Sequence, residues 1–182
     1  MLNRIYTIGH STRVLEEFVA LLREHGVTRL ADVRRFPGSR RHPQFSGESM
    51  QRTLPEHGID YVHFEALGGR RTPLKSSRNT ALESDQFRGY ADHMATAAFQ
   101  SAVDTLLDAD VRTAVMCAEA NPLNCHRNLL SDELTRRNVE VVHILGRGSW
   151  KRHELHRLAK VTDAAVTYPA EGGQTSLFRG RV

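Results

Sequence analysis

The sequence predicts an α/β protein: a single domain with a mainly parallel sheet of about five strands and helices on both faces. Three observations carry that expectation. Short apolar runs alternate with amphipathic segments of helical period. Most successive runs are joined by a helix, which suits right-handed parallel crossovers. The 182 residues, 40% of them hydrophobic, are enough for one real core and too few for two ordinary ones.

Each element follows from its local pattern. Residues 4–10, "RIYTIGH", read as a buried strand ending near Gly9. Residues 14–26 place apolar side chains at 14, 15, 18, 19, 21 and 22, a helical period, with Gly26 as the stop. A second strand is expected at 28–34, and residues 35–49 form a Pro/Gly/Arg/His loop without period. Such long irregular loops in compact domains commonly carry function. A helix around 47–57 and a strand at 59–64 come next, followed by a polar loop at 65–84. Residues 87–109 hold helical pattern in one or two pieces; a buried strand at 112–118, a helix at 128–138 and a last strand at 139–145 complete the sheet. The basic stretch "SWKRHELHRLAK" (149–160) reads as an amphipathic helix, with His153 and His156 on a solvated face or in contact with phosphate. The α/β domain is expected over residues 1–165, with residues 166–182 as a flexible tail.

Composition narrows the classes. No apolar run approaches the roughly 20 residues needed to span a bilayer, so no membrane partner is expected. The N-terminus lacks the apolar core of a signal peptide, and two cysteines make no disulfide framework, so a cytoplasmic protein is expected. The net charge of +4 is modest. Its carriers are more telling: the only lysines are Lys75, Lys151 and Lys160, and arginine supplies the rest. Arginine grips phosphate or carboxylate with a planar fork, although a GC-rich genome also raises arginine content.

In open α/β sheets, ligands bind beyond the carboxyl ends of the strands. The polar residues of this chain cluster there: His10, Ser11 and Thr12 after the first strand, Asp32 and Arg34 after the second, Cys117 and Glu119 after the fourth. The blocks "YTIGHSTR", "DVRRFPGSRRHPQF", "LGGRR", "CAEANPLNCHRNLL" and "VVHIL" resemble those of the DUF488 family, in the family's order, from Tyr6 to Leu145. The matching positions are Gly9, His10, Ser11, Thr12, Asp32, Arg34, Pro37, Ser39, Phe45, Gly68, Gly69, Cys117, Glu119, Cys125, His126 and Arg127. The resemblance implies a small bacterial or archaeal α/β protein. It further implies an activity found in some members, the cutting of modified pyrimidines such as 5-hydroxymethylcytosine from the sugar of DNA.

The segment "CAEANPLNCHR" (117–127) admits three readings. As a metal site it has soft ligands in Cys117, Cys125 and His126. However, C-x7-C-H lacks the paired spacing of structural zinc, so neither metal nor cofactor is expected. As a phosphatase-like nucleophile loop it fails, because the sixth residue after Cys117 is Leu123 rather than arginine. Cys117 then reads as a small buried hydrophobe at a strand end. As an anion grip it offers a helix N-terminus with His126 and Arg127 in its first turn, set against an ordinary polar helix start.

The loop after Asp32 carries Arg34, Arg35, Arg40 and Arg41 with Ser39, His42, Phe36 and Phe45; the "LGGRR" loop adds Arg70 and Arg71. Basic residues interleaved with aromatics suit a surface that tracks phosphates and stacks bases, while a solvated charged loop is the plain alternative. Asp32 and Glu119 are the acids available to stabilise an oxocarbenium-like sugar and orient water, with His10 and His126 as proton carriers. The alternative for Asp32 is a salt bridge that only orders the loop. One of Ser11 and Thr12 is expected to cap the first helix, with Glu16 or Glu17 as box partner. In the tail, "QTSLF" resembles the peptide by which bacterial DNA-processing proteins dock on the replication sliding clamp, with Gln174, Leu177 and Phe178 as anchors.

The expected function is therefore a DNA-acting enzyme, best described as a metal-independent glycosylase excising a modified base, with DNA and the sliding clamp as partners. Two alternatives stand beside it. One is a hydrolase or transferase acting on a small anion through Arg34 and Arg127. The other is a non-catalytic nucleic-acid or clamp-binding module.

Overall fold

The computed structural model of the chain describes residues 4–38 and 40–170. Six strands form one sheet: β1 Arg4–Gly9, β2 Arg29–Asp32, β3 Asp60–His63, β4 Thr113–Cys117, β5 Glu140–Gly146 and β6 Ser149–Arg152, in the order β3-β2-β4-β1-β5-β6. Every pairing is parallel except β5 with β6. The helices are α1 Leu15–Glu24, α2 Gly47–Thr53, α3 Asp85–Met94, α4 Ala97–Leu107 and α5 Arg127–Arg136. A short ribbon, β7 Lys160–Val161 with β8 Val166–Thr167, closes the described chain.

The central strands read as continuous apolar runs because both faces are covered. Tyr6, Ile8, Leu30, Ala114, Met116 and Ile144 point to one face and pack against Phe18, Val19, Leu21 and Leu22 of α1 and Met50 of α2. Their neighbours Ile5, Ala31, Val115 and Val141 point to the other face, under Tyr90, Phe99, Leu129 and Leu134 of α3, α4 and α5. Each of the larger aliphatic, Phe and Met side chains contributes about 1.5–3 kcal/mol relative to exposure. Among the described residues, no helix is long and apolar enough to cross a membrane.

The α/β class and single domain are as expected, and residues 87–109 do form two helices, α3 and α4. Three expectations need correction. Residues 149–160 are not helical: 149–152 form the antiparallel edge strand β6, a sixth strand beyond the five expected. The reason is local, because Gly146 and Ser149 pair across Arg147 and Gly148, and Gly148 has φ 62°. Glycine-bearing two-residue turns favour hairpins. Neither Ser11 nor Thr12 caps α1; its N-cap is Val14, without a side-chain hydrogen bond. Residues 166–168, assigned to the tail from sequence, belong to the body, since Val166 and Tyr168 are buried in the core. Gln174, Leu177 and Phe178 lie outside the described residues, as does Ser39.

The strand order creates the site. From β1 the chain crosses by way of α1 to β2 on one side; from β4 it crosses by way of α5 to β5 on the other. β1 and β4 are neighbours whose connections leave in opposite directions, which opens a crevice at their carboxyl ends. The β1–β4 contact continues past both strands: His10 N–H donates to the Cys117 carbonyl at 3.0 Å and Ser11 N–H to the Ala118 carbonyl at 2.8 Å. Gly9 permits this approach, because a Cβ there would lie 1.8 Å from the Glu119 carbonyl oxygen. Gly9→Ala is therefore expected to cost about 3 kcal/mol, at the upper end of overpacking effects. Urea denaturation of the two proteins checks this, and an unchanged midpoint would contradict it.

Candidate functional site

A cavity of about 720 Å³ opens in this crevice. Its wall carries Arg34, Arg35, Arg40, Arg41 and Arg70, together with His10, His42 and His126; among the described residues Glu119 is the one carboxylate in it. Cys117, Cys125 and His126 are also in its lining. The two basic loops meet at the wall, where the Arg35 guanidinium donates to the Arg70 carbonyl at 2.8 Å. Phe36 is 61% exposed at the cavity, and the Arg35 guanidinium lies 5.4 Å from its ring centre.

Asp32, at the end of β2, is fully buried and does not line the cavity. Its carboxylate is saturated from within. Oδ1 accepts from the Arg34 backbone N–H at 3.0 Å and from Arg34 Nε at 2.9 Å. Oδ2 accepts from Arg34 Nη2 at 2.5 Å and from the Tyr61 hydroxyl at 2.7 Å. The arrangement matches the loop-ordering salt bridge rather than a carboxylate facing a sugar. Burial acts to lower the Arg34 pKa, but the hydrogen bonds and charge of Asp32 outweigh it, and the pKa rises above its ordinary value. Burial, reinforced by Asp32, likewise raises the Tyr61 hydroxyl.

His10 completes this arrangement. Its Nδ1 lies 2.9 Å from the Ser11 carbonyl, which can only accept, so Nδ1 carries the proton and Nε2 is a free acceptor. Nε2 faces Arg34 Nη1 at 3.4 Å. The ring stacks on buried Phe45 at 4.6 Å between centres. Burial lowers the His10 pKa to about 4, so the ring is neutral at physiological pH and serves to orient Arg34. Ser11 holds a left-handed backbone, φ 49°, at the cavity lining, a conformation uncommon outside glycine. Thr12 is exposed beside it.

The residues named from sequence thus divide by place. His10, Ser11, Thr12, Arg34, Arg35, Arg40, Arg41, Arg70, Cys117, Glu119 and His126 meet at the cavity. Asp32 and Phe45 support it from below. Arg71 braces its own loop by donating to the Gly68 and Glu65 carbonyls at 3.0 and 3.2 Å. Arg127 is 1% exposed and turned inward, donating to Thr7 Oγ1 at 3.3 Å and to the Glu119 carbonyl. It therefore holds the Glu119 loop and presents no guanidinium to a ligand in the cavity. Sequence reading missed Gln86 and Phe87, at the start of α3, and Asn124, all of which line the cavity. Their only signal is position, after or within polar loops.

On the cavity floor, His126 Nδ1 lies 3.9 Å from Cys117 Sγ and 3.7 Å from Cys125 Sγ. Its Nε2 lies 3.0 Å from the Val33 carbonyl. A hydrogen bond from the Cys117 thiol holds Cys125 well below the usual thiol range, and the same bond together with burial pushes Cys117 well above it.

A second polar chain lies behind β1 and β5. Thr7 Oγ1 meets His143 Nδ1 at 2.7 Å, His143 Nε2 meets His153 Nδ1 at 3.0 Å, and His153 Nε2 meets Asp132 Oδ1 at 2.8 Å. The His153 side chain is therefore buried and hydrogen-bonded to α5 rather than solvated, and Asp132 also accepts from the His156 backbone N–H at 2.9 Å. Burial lowers His143 to about 3.

Fold and site together define a doubly wound α/β protein with an arginine-rich crevice suited to anions. The chain belongs to the DUF488 family, "Domain of unknown function DUF488", whose model matches residues 14–134. The match contains the arginine loop, the "LGGRR" loop and the segment 117–127, and leaves His10, Ser11 and Thr12 just outside. Among curated proteins and solved structures, none matches the chain.

Two outcomes follow from these interactions. Asp32→Ala leaves Arg34 buried without its counter-ion and is expected to destabilise the fold by about 3–5 kcal/mol; chemical denaturation checks this, and a loss within experimental error would contradict it. His10 and His143 have folded pKa values of about 4 and 3, below the histidine reference value of 6.5. The unfolded chain then binds more protons, so their contribution is complete above about pH 6.5 and is lost as pH falls through about 4 for His10 and about 3 for His143. Denaturation midpoints across this window should decline, and His10→Asn should flatten the decline; equal slopes in both proteins would contradict it.

Proposed function

We propose that the protein acts on DNA and that its reaction is the excision of a modified base. One observation carries the reading: among the described residues, five guanidinium groups and one carboxylate surround a cavity of about 720 Å³, a volume that accommodates a nucleotide. Arg35, Arg40, Arg41 and Arg70 contact phosphates along the rim, and exposed Phe36 stacks on a base. The target nucleotide turns out of the stack, because its glycosidic bond is out of reach inside a duplex. Glu119 stabilises the positive charge that develops on the sugar and orients the attacking water. Asp32 acts through Arg34, which it fixes in the wall, rather than on the substrate. A modified pyrimidine such as 5-hydroxymethylcytosine is the proposed base. The sliding clamp is a proposed partner through Gln174, Leu177 and Phe178, on the tail motif alone, and the cytoplasm is the proposed compartment.

A second reading, hydrolysis or group transfer on a small anion, draws on the depth of the site. Arg34 and His10 are only 7% and 4% exposed, so an extended backbone would reach them less readily than a compact ligand.

Binding to duplexes carrying modified bases across a salt series, alongside an abasic-site assay, separates the readings. The proposal expects a steep salt dependence, reduced by about one unit of slope for each of Arg40→Ala and Arg41→Ala. It expects Glu119→Gln to retain binding while base release falls about 100-fold or more. Salt-sensitive binding without base release would leave a non-catalytic module; no DNA affinity would favour the small anion.

A further inference from the structure

We propose that Cys117, Cys125 and His126 are the protein ligands of a bound zinc ion, with the fourth coordination position open to the arginine-lined cavity. The three ligand atoms lie within 4.8 Å of one another. Nδ1 of His126 is 3.9 Å from one sulfur and 3.7 Å from the other. A tetrahedral zinc ion with Zn–S of about 2.3 Å and Zn–N of about 2.0 Å requires S···N edges of about 3.5 Å and S···S edges of about 3.8 Å. The two S···N separations are therefore near the edges of a zinc tetrahedron, and the S···S edge, at most 4.8 Å here, would close by side-chain rotation.

The histidine is in the form a metal needs. The Val33 carbonyl, 3.0 Å from Nε2, can only accept, so the ring proton is on Nε2 and the Nδ1 lone pair faces both sulfurs. Metal-binding histidines characteristically donate their other N–H to a carbonyl or carboxylate, which fixes both tautomer and ring direction.

Electrostatics point the same way. The Arg127 guanidinium is buried, its partners Thr7 Oγ1 and the Glu119 carbonyl are neutral, and its Nε has no hydrogen-bond partner among the described residues. A zinc-bound pair of thiolates would supply the negative charge that this buried cation lacks.

The C-x7-C-H spacing lacks the usual paired pattern, and the backbone supplies what the spacing does not. Cys117 ends β4. Cys125 is extended, φ −133° and ψ 146°, and His126 is helical, φ −56° and ψ −17°. This abrupt change brings the side chains of two adjacent residues together on the Cys117 sulfur. Two thiolates and an imidazole select zinc over hard cations such as magnesium or calcium. Three protein ligands with an open position is the pattern of catalytic rather than structural zinc. All three line the cavity, so water or an anionic oxygen of a ligand takes the fourth position. The inference does not rest on the DNA reading; any anion in the cavity would meet the ion.

The test is made on the full chain, purified under reducing conditions without a metal-chelating tag. Elemental analysis is expected to find about one zinc per chain. After chelation, titration with cobalt(II) is expected to give the intense thiolate-to-metal absorption and visible bands of a tetrahedral site. Cys125→Ser should lose the thiolate band and the retained zinc while keeping its circular dichroism spectrum. Should that variant fold poorly, thiol reactivity of the wild-type chain replaces it: both cysteines should be protected with zinc present and exposed to reagent after chelation. Folded, reduced wild-type protein that retains no zinc and gives no thiolate band with cobalt would overturn the proposal. So would a Cys117–Cys125 disulfide whose reduction restores neither. Because the readouts are metal content and absorption, a negative DNA assay does not bear on them.

Discussion

The bidentate ion pair between Asp32 and Arg34 holds the arginine loop to the end of the sheet. A carboxylate with no exposed surface is costly to bury unless every lone pair is used, and here the Arg34 backbone and guanidinium and the Tyr61 hydroxyl use them. The consequence extends outward. Arg34 is locked by Asp32 on one side and faces His10 on the other, and His10 is itself stacked on Phe45. A chain from β3 through β2 to the loop after β1 therefore sets one wall of the cavity. The neighbouring Arg35, Arg40 and Arg41 follow from that anchored backbone.

The other wall depends on Arg127 and Gly9. Gly9 lets the 118–120 segment approach β1, and Arg127 grips the Glu119 carbonyl from within the core. A buried arginine and a missing Cβ thus place the Glu119 carboxylate opposite the guanidinium groups of the cavity. Both walls are built from buried polar contacts rather than from loop packing, so the site is pre-organised, as electrostatic recognition of an anion demands.

Much of this was legible in the sequence, for physical reasons. Strands buried on both faces produce unbroken apolar runs, so β1, β4 and β5 could be read directly. The rule that ligands lie beyond strand ends brings His10, Arg34, Cys117 and Glu119 together from the sequence alone. β6 was hidden because all four of its side chains are exposed and show no alternation; the glycines of "GRG" were the signal that outweighed the helical spacing of the charges. The true role of Asp32 depends on Tyr61, 29 residues away, and that contact follows from the pairing of β2 with β3. The inward turn of Arg127 and the convergence of Cys125 and His126 arise from tertiary packing and a change in backbone angles, neither of which residue spacing encodes.

Hydrogen exchange measured with and without a DNA duplex bearing a modified base tests the central claim, that the cavity anchored by Asp32 is where a polyanion binds. The account predicts slowed exchange over residues 34–42, around Gly69 and Arg70, and over 117–126. Protection confined to the β5–β6 edge or the Asp132–His153 side, or no change at low salt, would contradict it.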